Sequence, residues 1–132
     1  MTPTDGATAL ALVEEALRKS SVLWLALPSS AVPRIAWHIW LDGAAYVVHE
    51  GIEQRLPGLD DLSQVEISVR SKDKGTLLAR RIVRVEPVPP DDPGWPGAVA
   101  ALHAHRQSPP DGPAQPARWA AHSRVTRLVP LR

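Results

Sequence analysis

Three aromatic side chains lie close together in one short segment: Trp37, His38 and Trp40 all belong to the run RIAWHIWL, residues 34–41. Indole rings stack on planar ligands and imidazole nitrogens form hydrogen bonds, so these residue types suit a site for a flat cofactor ring. A histidine on a strand is more often structural, with its nitrogens satisfied in a partly buried site. We rank His38 first among the candidate ligand contacts and keep the structural interpretation open.

Two further groups of residues carry potential chemistry. His103 and His105 stand two positions apart in a predicted helix, where their side chains diverge, so we expect surface residues and no metal site. A basic set on one predicted hairpin suits the phosphates of a cofactor or a nucleic acid. A solvated hairpin face is favoured, because alternation spreads the set over both sides of the strands without interleaved aromatic residues. The set is Arg70, Lys72, Lys74, Arg80, Arg81 and Arg84.

The composition excludes several classes of protein. The 132 residues are 44% hydrophobic and 22% charged, which is typical of one globular domain over residues 1–132. The formal net charge of +1 gives no steering toward nucleic acid or an anionic membrane, and no apolar run is long enough to span a membrane. The absence of cysteine excludes thiol catalysis and fits the cytoplasm. No phosphate loop, nucleophilic serine motif or paired-carboxylate motif is found, so catalysis by side chains alone is unsupported.

Alternating and apolar runs predict six β-strands. Asp42-Gly43 suits a type I′ turn and so predicts a hairpin between its flanking runs. The polar segment SKDKG (71–75) predicts a second hairpin. The six strands are expected at 21–27, 34–41, 44–49, 65–70, 76–87 and 123–131.

Two helices and two connections complete the prediction. A helix is expected within residues 1–20, from Ala7 to Lys19 with Asp5 as its N-cap, because Leu10, Val13 and Leu17 share one side. A second helix is expected from Pro93 to Arg106, with Asp92 capping it and Pro93 at its first position. The connection 50–62 has room for one helical turn after Pro57, and the proline-rich segment 107–117 is expected to be a flexible loop. This order predicts a mainly β fold with peripheral α-helices, a six-stranded antiparallel barrel.

The strand at 34–41 is apolar on both sides. Ile35, Trp37 and Ile39 alternate with His38 and Trp40. The second side therefore needs a cover, and a second copy of the chain is the favoured one. Coverage by the two helices of the same chain is the alternative.

The order of elements resembles that of the FMN-binding split β-barrel superfamily, the pyridoxamine 5′-phosphate oxidase-like proteins. The runs PRIAWHIWLDGAAYVV and VEISVRSKDKGTLLARRIVRVEPV look like two hairpins of that superfamily, and W…AVAALHAHR…RW…VTRLVP fits its helix and final strand. The resemblance implies a homodimer with a flavin in grooves at the dimer interface.

The loop after the third predicted strand departs from that pattern. It reads HEGIEQR (49–55) where relatives that hold FMN usually offer Ser or Thr and Lys or Arg to the phosphate. Arg55 remains as a cation donor, but Glu50 and Glu53 would oppose a phosphate. The cofactor therefore stays open among FMN, the deazaflavin F420, haem and none.

The leading hypothesis is a cytoplasmic split-barrel homodimer that binds a flavin-type cofactor and acts as an oxidoreductase on an unknown substrate. Trp37, His38 and Trp40 would line the ring pocket, while Arg55, Arg70 and Lys72 would contact the phosphate. A cofactor-free dimeric binding or structural module of the same fold is the alternative, and nucleic-acid binding by the basic hairpin is the third and least favoured hypothesis.

Overall fold

The structure is a computed structural model that describes residues 3–71, 73–106 and 112–131. These residues contain three helices and seven strands. Helix α1 spans Pro3–Lys19, and two further helices, α2 at Trp95–His105 and α3 at Gln115–His122, follow the sixth strand. The strands are β1 (Val22–Leu25), β2 (Arg34–Trp37), β3 (Ile39–Leu41), β4 (Ala44–His49), β5 (Gln64–Arg70), β6 (Leu77–Val88) and β7 (Arg124–Pro130).

All seven strands form one antiparallel sheet in the order β2-β1-β5-β6-β7-β4-β3. The two edge strands, β2 and β3, are neighbouring segments of the chain that meet at His38. Because both edges belong to one continuous segment, the sheet curls into a nearly closed split barrel. The predicted fold class is confirmed, and the count is seven rather than six because the run 34–41 changes its pairing partner at His38.

The predicted hairpins are confirmed. Asp42 and Gly43 both have positive φ angles, 50° and 80°, as a type I′ turn between β3 and β4 requires. Strands β5 and β6 form the second hairpin. Leu59–Asp61 form the 3₁₀ turn expected after Pro57.

Helix α1 packs against the interior of the barrel. Val13 and Leu17, one turn apart on the helix, are buried in a cluster with inward-facing strand residues such as Ile67, Val83 and Leu128. We call this cluster the inner core. The predicted helical stripe is confirmed, whereas the helix begins before Asp5, which therefore is not its N-cap.

Helices α2 and α3 pack on the outside of strands β3, β4 and β7. Val99, Leu102 and Trp119 from these helices are buried against Val48 and Val125, and we call this cluster the outer core. None of the helices in the described ranges is long and apolar enough to cross a membrane.

From Ala36 to Trp40, both sides of the 34–41 segment are covered by the chain itself, whereas Ile35 is 56% exposed. Ala36, His38 and Trp40 face the inner core, whereas Trp37 and Ile39 pack with the outer core. The expectation that a second copy must cover one side of this segment is therefore not met, and the alternative of intramolecular coverage is correct.

Two helix predictions need correction. Helix α2 begins at Trp95 rather than Pro93, with Gly94 at its N-cap, and the Asp92 carboxylate accepts a hydrogen bond from the Gly94 N–H at 2.7 Å. Of the segment expected to be a loop (107–117), residues 107–111 lie outside the described residues, and residues 112–117 form a 3₁₀ turn and the start of α3. Pro116 is tolerated there because the first helical turn needs no N–H donors.

Candidate functional site

Trp37 lies in an open cleft of about 400 Å³ between the end of β2, the loop after β4 and the end of α2. The His105 ring lies nearly parallel to the indole, with 5.9 Å between ring centroids and 11° between planes. The Arg106 guanidinium carbon lies 5.8 Å from the same indole centroid, within cation–π range. We call this site the Trp37 cleft; Ile52, Glu53 and Gln54 complete its lining.

The Gln54 side chain fixes the backbone of Trp37 where β2 ends. Its Oε1 accepts a hydrogen bond from the Trp37 N–H at 2.9 Å, and its Nε2 donates to the carbonyls of Trp37 and Val48, each at 3.0 Å. These bonds satisfy backbone groups that leave the sheet ladder at the His38 break. The indole is therefore presented to the cleft from a well-anchored strand end.

Glu53 is held by two arginines. Its carboxylate accepts hydrogen bonds from Arg106 at the end of α2 and from Arg118 of α3, the latter at 2.9 Å. The Glu53 side chain is only 1% exposed, so its charge needs this pairing. The negative charge of Glu53, which was expected to repel a phosphate, is thus offset by the positive charges of two arginines.

The three aromatic candidates do not share one pocket. Trp37 lies in the cleft, whereas His38 is 1% exposed and its Nε2 lies 2.9 Å from the Leu17 carbonyl oxygen. Burial lowers the pKa of His38, although the hydrogen bond to Leu17 opposes this shift. Trp40 is half-buried against the inner core. The geometry of His38 therefore fits the structural interpretation.

The three basic candidates are also separated. Arg55 is an exposed residue of the loop after β4 and is not among the residues that line the Trp37 cleft. Arg70 ends β5 and lines a different groove, beside α1. Lys72 lies outside the described residues. Arg106, by contrast, lies in the Trp37 cleft, although the sequence had indicated only that it ends a predicted helix.

A buried polar network lies at the end of β4. The His49 side chain is 1% exposed, with Nε2 2.8 Å from the Thr126 hydroxyl and 3.5 Å from an Asp60 oxygen, and with Nδ1 3.3 Å from Glu50. Burial raises the pKa of Asp60, but hydrogen bonds with His49 and Thr126, and the charges of His49 and Arg124, outweigh burial and lower it. Burial likewise raises the pKa of Glu50. Hydrogen bonds with the Leu56 N–H and with His49 outweigh burial, so the pKa of Glu50 is lowered.

His103 and His105 diverge, as their spacing predicts. The Nδ1 of His103 lies 2.9 Å from the Gln115 side-chain oxygen, whereas His105 stacks on Trp37. Within the described ranges, no group of three or more histidine or carboxylate side chains is placed to hold a metal ion.

Comparison with known proteins supports the fold at the structural level. The chain resembles solved split-barrel proteins, although no family model and no curated protein matches its sequence. One similar structure is HutZ, the heme storage protein of Vibrio cholerae, with a TM-score of 0.62, 17% identity, and coverage of 91% of this chain and 88% of HutZ.

Two other solved structures are similar. An Agrobacterium tumefaciens protein of unknown function has a TM-score of 0.61 and 18% identity over 98% of this chain, which spans 57% of that longer protein. A FAD-binding protein of Mesorhizobium loti has a TM-score of 0.53 and 15% identity, with coverage of 100% of this chain and 91% of that protein. At these identities the similarity shows the fold alone.

Several residues that line the Trp37 cleft or pair with its lining were not found from the sequence. Gln54 and Arg106 carry no motif, and Arg118 lies in a helix that the proline content obscured. Glu53 was noticed only as an unfavourable charge. The one general rule that applies is that an acidic side chain, if buried, requires a cation. No spacing rule identifies that cation, because Arg106 and Arg118 lie 53 and 65 residues from Glu53 along the chain.

Proposed function

We propose that this chain is a cofactor-binding split-barrel protein, and that the Trp37 cleft receives the planar ring of a flavin-type redox cofactor, FMN in the first place. The observation that carries the proposal is the half-buried Trp37 indole in an open cleft, with the Arg106 guanidinium beside its ring. An aromatic face next to a cation suits an electron-poor ring that also bears a negative charge.

The residues in the cleft fit such a group in chemical type. Trp37 and His105 would stack on the ring, and Arg106 would pair with an anionic substituent, with Arg55 of the neighbouring loop as a further cation. A bound flavin would supply electron or hydride transfer. Haem is a second candidate, because His105 is an exposed imidazole in the cleft. Of the similar solved structures, one is a heme storage protein and one is a FAD-binding protein.

We also propose a homodimer, formed through an outer sheet face that includes the exposed Ile35 rather than through the covered residues 36–40. Trp24 pairs with Ile35 on one side and Ser68 on the other, and Ser68 pairs with Arg80, so these four side chains form a row across β2, β1, β5 and β6. Ile35 is 56% exposed and Trp24 is half-buried. We call this row the outer face. Its apolar part, Ile35 and Trp24, is accessible to solvent, and exposed apolar side chains beside polar ones are typical of an interface.

The test is a titration of the purified protein with FMN, FAD, F420 and haemin, followed by visible absorption and tryptophan fluorescence. We expect saturable quenching by one of them and at least about tenfold weaker binding in Trp37→Leu. Trp95→Leu is the matched control, because Trp95 is also half-buried and begins the same helix that ends with His105. Its affinity should remain that of the wild type.

The alternative, a cofactor-free module, is favoured by a different observation: His38 and Trp40, two of the three expected ring contacts, are used by the inner core. No colour and no saturable quenching with any of the four compounds would support this alternative and reject the cofactor proposal. An oxidoreductase activity and a cytoplasmic location remain expectations that follow from the resemblance and the composition.

A further inference from the structure

A second groove lies between helix α1 and the β5–β6 hairpin, with a volume of about 490 Å³. Leu12 and Ala16 of α1 and Leu78 of β6 form its apolar wall. Leu12 is 56% exposed and Leu78 is 55% exposed. The groove shares no lining residue with the Trp37 cleft. Large aliphatic side chains gathered in a concave surface of this size, within the range of about 300–1,000 Å³ of ligand pockets, are typical of a binding site.

Among the residues that the structure describes, the charged lining of the groove leaves one net positive charge. Glu15 and Lys19 form an ion pair at 2.9 Å, so their charges offset each other. Arg70 is the remaining charged residue, and its Nη1 donates to the Gly75 carbonyl at 3.0 Å. A guanidinium carries five N–H donors, so this bond leaves capacity for an anion. We name this site the α1 groove.

The hydroxyl groups of the α1 groove are engaged locally. Ser20 Oγ donates to the Val22 carbonyl at 2.7 Å. Ser71 Oγ accepts hydrogen bonds from the Lys74 and Thr76 N–H groups. Arg70 is therefore the described lining residue best suited to recognise a charged ligand group.

We propose that the α1 groove binds a small molecule with an apolar body and a single anionic group, such as a medium-chain or aromatic carboxylate. Leu12, Ala16 and Leu78 contact the apolar body, and Arg70 pairs with the carboxylate. Burial of the apolar body supplies most of the affinity, and the single net positive charge selects a monoanion over a cation. This site is independent of the cofactor proposal, so the failure of either leaves the other standing.

Displacement of the fluorescent anion 1-anilinonaphthalene-8-sulfonate by dodecanoate tests the proposal on the full chain. We expect dodecanoate to displace the dye in the micromolar range, and Leu78→Ser to weaken this binding about tenfold. Arg70→Gln should weaken dodecanoate but leave uncharged dodecanol unchanged. Val32→Ser and Arg84→Gln are the controls, because each changes an exposed residue of similar type outside the groove and outside the proposed dimer interface.

Three outcomes would overturn the proposal. The first is equal displacement by dodecanoate and dodecyltrimethylammonium, which removes the role of Arg70. The second is a loss in Val32→Ser as large as that in Leu78→Ser, which places the dye elsewhere. The third is sedimentation with phosphatidylglycerol vesicles that Leu78→Ser abolishes while dodecanoate does not bind, which assigns the surface to a membrane instead. Because Leu78 and Arg70 are exposed, thermal unfolding should confirm that both variants stay folded.

Discussion

Glu53 joins the loop after β4 to two helices, because its carboxylate accepts hydrogen bonds from Arg106 of α2 and Arg118 of α3. This residue was expected from the sequence to repel a phosphate, and that expectation treated its charge as unpaired. Within the fold the carboxylate is almost fully buried and lies between two guanidinium groups. Its principal effect is therefore to hold Arg106 beside the indole of Trp37.

Glu53→Gln should lower the free energy of unfolding by about 2–4 kcal/mol, because it removes a buried negative charge that accepts hydrogen bonds from two guanidinium groups. Glu15→Gln removes an exposed helical ion pair with Lys19 and should change the free energy of unfolding far less, because solvent screens a surface pair. Urea unfolding of both variants measures the difference. Equal effects of the two substitutions would show that the buried pairing contributes no more than a surface pair.

The network around His49 predicts a stability that depends on Asp60 in acid. Because the pKa of Asp60 is lowered in the folded protein, its ionised form stabilises the fold at neutral pH. That stabilisation is lost as the pH falls below the ordinary carboxylate value of about 4 and passes through the lowered pKa. Asp60→Asn should therefore lose less unfolding free energy than the wild type between pH 7 and about pH 3.

Urea unfolding at these two pH values checks the prediction for Asp60. Asp42→Asn, at an exposed turn position that tolerates Asn, is the control and should follow the wild type. A loss in Asp60→Asn as large as that of the wild type would mean that Asp60 does not contribute to acid sensitivity.

Among the elements, α1 contributes to the inner core through one side only. Leu17→Ala should lower the free energy of unfolding by about 2–5 kcal/mol, because Leu17 is 0% exposed and its removal leaves a cavity. Leu12→Ala, on the exposed side of the same helix, should change it by about 0.5 kcal/mol or less. Similar losses in the two variants would contradict the packing of α1 against the barrel interior.

The elements that the sequence predicted are those with a strong local signal. The Asp42-Gly43 turn and the alternation of β5 depend on neighbouring residues alone, and both are confirmed. The break at His38 has no such signal, because a strand that changes partners keeps its alternation on both sides of the change. Helix α3 was missed because Pro113 and Pro116 indicate a loop unless the chain uses them in a first helical turn.

The candidate site was predicted only in part for a related reason. Trp37, His38 and Trp40 were grouped because they lie in one short run, and His38 was ranked first among them. Successive strand residues face opposite sides of a sheet. His38 and Trp40 therefore face the inner core and cannot share a pocket with Trp37. The residues that do surround Trp37, including His105 and Arg106, come from an element about 70 positions away, and only the tertiary fold brings them together.

At the scale of the whole molecule, the proposed dimer depends on the outer face. Ile35→Asp should convert a dimer into a monomer in sedimentation equilibrium, because a carboxylate would be buried without a partner at the interface. Leu78→Asp is the matched control, since Leu78 is equally exposed but lies in the α1 groove, and should remain dimeric. A monomeric wild type, or a dimer that survives Ile35→Asp, would reject this interface.

The location of the cofactor can be measured directly by fluorine NMR of the protein labelled with 5-fluorotryptophan, because the chain has five tryptophans and each gives one signal. The Trp37 signal is assigned by its loss in Trp37→Leu. Titration with the cofactor that binds should shift the Trp37 signal by more than any other and leave that of the fully buried Trp119 in place. A bound cofactor that shifts another signal while that of Trp37 stays fixed would contradict the proposed site.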